Sequence, residues 1–198
     1  MILFWCIQAV LGVLYAQLLE WVLHKYVLHG IGKEKGAPFS FHFHGHHRAS
    51  RKQLFFDDHY KSSSWGWNPA GKEVYSLLGL AIIHLPVAFF LPVAWSAAVL
   101  GGIRYFVFHR KAHLDPQWCK QHIPWHYDHH MGPNPDLNWG VTTDLFDRLF
   151  GTREVYLGTE REKKETARRL KRFNKVSKKL ENEEKQVRGD KKDDVCFA

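Results

Sequence analysis

The chain has 198 residues, enough for one domain of ordinary size and short for two. It is basic, with 28 Lys and Arg against 20 acids and a net charge of +8. Its three distant cysteines, Cys6, Cys119 and Cys196, exclude a disulfide framework and a CxxC zinc motif. The mean hydropathy of -0.35 looks too polar for a membrane protein, but it averages two unlike parts. Residues 1–19 and 74–103 carry no charged side chain, whereas 160–198 hold 14 of the 28 bases and 9 of the 20 acids. Cys196 is third from the end, so it is not a prenylation box. Thiols left reduced fit a cytoplasm-facing protein.

Residues 2–23, ILFWCIQAVLGVLYAQLLEWVL, are long and apolar enough for a membrane helix of about 20 residues, with Glu20 the only charge. They lack the basic start and small-residue cleavage site of a signal peptide, so the helix is expected to be retained. A polar stretch follows at 24–72, with eight bases against three acids. By the positive-inside rule this stretch faces the cytoplasm. Tyr60, Trp65, Trp67 and Tyr75 mark the place where the chain returns to a headgroup region.

The second apolar block, 74–103, is shorter than the roughly 40 residues of two full spans, and Pro86 and Pro92 bracket its middle. It reads as a tight helical hairpin whose second arm runs past Arg104 to His113, or else as one span with a re-entrant segment. Either way its uncharged tip points away from the basic loop. The fold class is therefore an all-α integral membrane protein with few transmembrane helices, multi-pass, and a cytosolic histidine-rich cap over residues 1–153. Residues 154–198 form a charged basic tail. There Ala167, Leu170, Phe173, Val176, Leu180 and Val187 make a thin apolar stripe, which reads either as a basic amphipathic helix on an anionic membrane face or as a solvated tail.

Fourteen histidines are the most unusual count, and ten of them fall in four groups. These are His24 and His29; His42, His46 and His47; His109 and His113; and His126, His129 and His130. Positions i, i+3 and i+4 share a helix face, so the last three groups can each aim two or three imidazoles at one point. His24 and His29 are rotated by about 140° on an ideal helix and converge only where the helix ends or loosens, near Gly30 and Gly32. His44 competes with His42: a helix turns it away, an extended strand keeps it with His42 and His46. His84 reads as a packing or hydrogen-bonding residue, and His59 and His122 as non-ligands.

Ten neutral imidazoles suit two metal ions, and imidazole serves iron, zinc and copper alike. Each ligating ring needs a partner for its other N–H. Glu20, one turn before His24, and Asp128, inside the last group, are the candidates, with Asp144 and Asp147 further on. A zinc transporter or zinc-binding protein is a rival reading, but its ligands belong near mid-membrane, whereas these groups fall at or beyond the span ends.

The order His-x4-His, His-x3-His-His, His-x3-His, His-x2-His-His resembles the fatty acid hydroxylase and sterol desaturase superfamily of membrane di-iron enzymes. The stretches EWVLHKYVLHG at 20–30 and NWGVTTDLFDRLFGT at 138–152 match its style, and the resemblance covers about 18–153. Its size and motif order look most like the short bacterial hydroxylases, and carotenoid hydroxylases are a more distant likeness. The resemblance implies two iron ions on the ten histidines, with zinc as a substitute on isolation. It implies dioxygen and two electrons directed at an unactivated C–H bond of a fatty acyl chain or related lipid, with a desaturase or a sterol or carotenoid hydroxylase as the alternative. The electrons are expected from a separate b-type cytochrome, or from a ferredoxin with its reductase, and no nucleic acid is implied. Trp125, Tyr127 and Trp139 flank the last group and are expected either to line the lipid path or to pack.

Overall fold

A computed structural model describes residues 1–194; Cys196 and the side chain of Val187 lie outside the described residues. The described residues are helical, with no strand among them. They divide into two compact units, residues 1–157 and the described residues from 158 on.

The first unit opens with α1 (Ile2–Val22), which runs into a π-helical turn, Leu23–Leu28. The outward face of α1 is apolar: Leu3, Phe4, Ile7, Val10 and Leu11 are all exposed. The buried positions are Gln8, Gly12 and Trp21. Large apolar residues outside and a glycine at the close crossing invert the soluble pattern and match helix packing in lipid, where small residues let backbones approach. A Cβ on Gly12 would lie 2.2 Å from the Ala94 carbonyl oxygen, so this crossing needs glycine. A Cβ on Gly101 would lie 2.6 Å from the Ala16 Cβ.

The packed partner is α5 (Pro92–Leu114), which follows α3 (Pro69–Ile83) and the short α4 (Leu85–Phe90). Prolines open all three helices, where a missing N–H costs nothing. The Asn68 side chain caps α3 by accepting from Gly71 N at 2.9 Å. Gln8 reaches across from α1 to accept from Val93 N at 3.2 Å, closing the free start of α5. The apolar block is thus a hairpin broken at His84 and Leu91. Of the described helices, the one from Ile2 through the π turn to Lys33 is long and apolar enough to cross a bilayer. At about 1.5 Å per residue α3 reaches only about 22 Å, short of a hydrocarbon core of about 30 Å.

A second π-helical segment, Phe41–His47, leads into α2 (Arg48–Lys52). Beyond α5 come α6 (Pro116–His122), α7 (Pro124–Met131) and α8 (Leu145–Leu149). Phe55, Ala112, Cys119, Ile123, Tyr127, Met131 and Val141 form an apolar cluster behind the histidines. The second unit contains α9 (Glu160–Asp194). Its stripe residues Leu170, Phe173, Val176 and Leu180 are exposed. Within the tail, Glu160–Asp194 is helical.

Candidate metal centre

Each of the ten grouped histidines is 4 % exposed or less, so the interior of this unit is largely imidazole. They form two sets. His24, His29, His42, His47 and His129 bring one ring nitrogen each within 4.8 Å of one another, and so do His46, His109, His113 and His130. His126 joins the second set, its Nε2 lying 3.1 Å from that of His113.

The two π segments explain this partition. An α-helix cannot aim residues five apart at one point, but a π turn closes i→i+5 bonds and stacks them. His29 N donates to His24 O at 3.0 Å, one such bond, and both rings enter the first set. Gly30 follows because a Cβ there would meet the Tyr26 carbonyl oxygen at 2.1 Å. In Phe41–His47 the same register pairs His42 with His47, their Nε2 atoms 3.3 Å apart. This corrects the expected α-helical pairing of His42 with His46: His46 turns to the second set. In α7 the neighbours His129 and His130 also part, while His126 and His130, one α turn apart, stay together. The sets touch where His47 stacks on His130 at 4.1 Å.

His44 stays outside both sets and meets the Lys33 carbonyl at 2.8 Å. His59, His84 and His122 also stand apart, bonded to Asp57, Tyr15 and the Trp118 carbonyl.

The nitrogen facing away from each set is anchored in five rings. His24 Nδ1–H donates to Trp139 O at 2.6 Å and His129 Nδ1–H to Leu137 O at 2.7 Å. His113 Nδ1–H donates to Phe55 O at 3.0 Å. His46 Nδ1–H donates to Asp57 at 2.7 Å. His109 Nδ1–H donates to the Tyr60 hydroxyl at 3.2 Å, with a Glu73 oxygen 2.7 Å from the same nitrogen. Each anchor fixes the tautomer and leaves Nε2 as a lone pair directed inward. His129 Nε2 then lies 3.2 Å from that of His29 and 3.1 Å from that of His47, while His46 Nε2 and His109 Nε2 have no hydrogen-bond partner. Buried lone pairs converging without donors are costly; a cation between them removes the cost, so the residues fit two metal ions. Burial, with the neighbouring rings, pushes His42, His46, His47, His126, His129 and His130 well below the usual imidazole pKa. They are held neutral, the form that ligates.

The expected carboxylate partners are corrected. Glu20 accepts from Val141 N, and from Thr142 N and Oγ1 at 2.9 Å each, rather than from a histidine. Asp128 accepts from Leu157 N at 2.7 Å and pairs with Arg153 at 2.8 Å. Asp144 pairs with Arg148 and Arg153. Asp147 acts at one remove: it accepts from Trp139 N, Gly140 N, Thr152 Oγ1 and Trp21 Nε1, and so holds the peptide whose carbonyl anchors His24.

The partners that sequence reasoning missed are Asp57 and Glu73. Glu73 also accepts from Tyr60 at 3.0 Å. A carboxylate at the very edge of the uncharged block 74–103 was the available signal for Glu73; Asp57 offered none beyond its nearness to His59.

Between α1, α3 and α5 lies an apolar cleft of about 850 Å³ that ends against His24 and His42. Leu19, Leu23, Val27, Leu77 and Phe106 are among its walls. Trp125, Tyr127 and Trp139 are not: Trp125 Nε1 donates to Val141 O, Tyr127 packs on Phe55, and Trp139 stands edge-on to His24 and His29.

The buried histidine sets can bind metal. No curated protein matches the chain in sequence, and no solved structure matches it. A model of a membrane-associated oxidoreductase family matches residues 9–152, a range that runs from α1 past α8 and holds all ten grouped histidines. The chain belongs to that family, the fatty acid hydroxylases.

Proposed function

We propose that the protein is a multi-pass membrane lipid hydroxylase whose two histidine sets hold iron. It uses dioxygen and two electrons to place a hydroxyl group on an unactivated C–H bond of an acyl chain or related lipid. The observation that carries this reading is the apolar cleft ending against His24 and His42. A chain lying there is desolvated along its length and presents a carbon to the histidine sets.

Bound iron would supply the dioxygen chemistry that such a C–H bond requires. The protein supplies the rest. Asp57 holds His46 in the ligating tautomer, and Tyr60, which itself donates to Glu73, holds His109. Phe39, Phe41, Leu23 and Leu28 wall the cleft near the histidines and exclude water. The bases of residues 24–72 support a cytoplasmic position for the histidines, within reach of a soluble or membrane-bound donor. A b-type cytochrome, or a ferredoxin with its reductase, is the donor class.

The test is reconstitution of iron-loaded protein with reductase, donor, a lipid and labelled dioxygen. One labelled oxygen atom in the lipid product supports hydroxylation. A new double bond without label makes the protein a desaturase, and two tightly held zinc ions without turnover favour a zinc-binding protein.

A further inference from the structure

The cleft has a polar pair at the end away from the histidines. Tyr15 on α1 and His84 at the break between α3 and α4 both line it. Around them the walls are apolar: Leu80, Val87, Leu91 and Ala94. An ionisable group set among apolar helices is costly and is retained where it binds something.

The hydrogen bonds fix what this pair can still do. His84 Nδ1–H donates to Leu80 O at 2.8 Å. That leaves Nε2 as an acceptor, and the Tyr15 hydroxyl donates to it at 2.6 Å. The tyrosine proton is thereby committed, and the hydroxyl oxygen keeps free acceptor capacity. Tyr15 itself is 43 % exposed. The pair therefore offers a ligand an acceptor and no donor.

We infer that Tyr15 and His84 form a recognition site for a hydroxyl group carried at the far end of the lipid. This rests on the hydroxylase reading and deepens it: the substrate is a neutral lipid with an alcohol at one end. A carboxylate has no proton to give, so an ionised fatty acid is disfavoured there. Tyr15 and His24 are nine helical residues apart, an axial distance of about 13 Å. The carbon presented to the histidines then lies about ten carbon–carbon bonds from the alcohol, taking roughly 1.3 Å of advance per bond of about 1.5 Å.

The test compares tetradecanol with tetradecyl methyl ether as competitors of a fluorescent polyene hydrocarbon bound to the full-length protein in detergent. The alcohol is expected to bind about five- to tenfold better, the worth of one neutral hydrogen bond in a desolvated site. Tyr15→Phe should bring the ratio to one while leaving affinity for the hydrocarbon unchanged. His84→Phe frees the Tyr15 proton to donate, so affinity for the ether should rise. Equal binding of the two probes by the wild type overturns the inference. So does an equal loss of all three ligands in Tyr15→Phe, which would make the pair a structural staple. Metal content measured on the same samples separates the two readings: two ions with equal probe binding sinks only this inference, whereas no metal sinks the hydroxylase reading.

Discussion

Replacing Asp57 with Asn should weaken one metal site and spare the other. Asp57 is fully buried and accepts from His46 Nδ1 and His59 Nδ1, each at 2.7 Å, and from His59 N at 3.1 Å. Asparagine keeps one acceptor oxygen and turns the other position into a donor, so one of the two rings must lose its partner. The charge also goes, and a bond to a charged group is worth about 1.5–3 kcal/mol against about 0.5–1.5 for a neutral one. His46 therefore loses roughly 1–2 kcal/mol of support, which is about 5- to 30-fold in metal affinity. The first set is anchored through Trp139 O and Leu137 O, neither of which involves Asp57. Chelator competition on protein loaded with two ions, followed by elemental analysis, should show one of two release steps displaced by that factor. His59→Ala, which removes only the exposed partner, should move neither step by more than about threefold. Two steps displaced equally, or none, would refute the assignment of His46 and His47 to different ions.

Acid should release metal and destabilise the fold together. Burial lowers the pKa of His42, His46, His47 and their neighbours, so below about pH 6.5 the unfolded chain binds more protons than the folded one. Stability is then full above that pH and falls steadily beneath it, as thermal melting across pH 4–8 will report (roughly, by the same linkage). Gly30→Ala should cost about 1–3 kcal/mol and part of the metal, because the new Cβ overlaps the Tyr26 carbonyl; denaturant melts with metal analysis measure both. Removing 158–198 should leave two ions bound, since every grouped histidine lies within the first unit; loss of metal on truncation would place the tail in the fold.

The ten grouped histidines could be read from the sequence because clustering survives without knowledge of the backbone. Their partition into two sets could not. Reading His42 and His46 as an α-helical pair assumes 3.6 residues per turn, and FHFHGHH offers a spacing of four to His46 beside the spacing of five to His47. The same assumption made His24 and His29 look awkward, although a spacing of five is what a π turn requires. Nearness along the chain points to Glu20 and Asp128, but the carboxylates beside His46 and His109 come from other elements, Asp57 and Glu73. Glu20 and Asp128 instead secure the segments at 141–142 and 153–157. The hairpin could be read from Pro86 and Pro92, and its break at His84 could not, because a histidine carries no helix-stopping signal of its own.

The π turn at Leu23–Leu28 also acts as a phase adjuster between two demands on one continuous helix. Upstream, Gly12 must face α5 at a separation that admits no side chain. Downstream, His24 and His29 must both face the first histidine set. A uniform α-helix advances about 100° per residue, so deleting one residue from 25–28 would swing everything before it by that angle relative to His29. Either the small-residue face would leave α5 or His29 would leave the metal set. The spacing of five between these two histidines is therefore held from both ends, and a shortened variant should fail by losing helix packing and metal together, even though every ligand is still present.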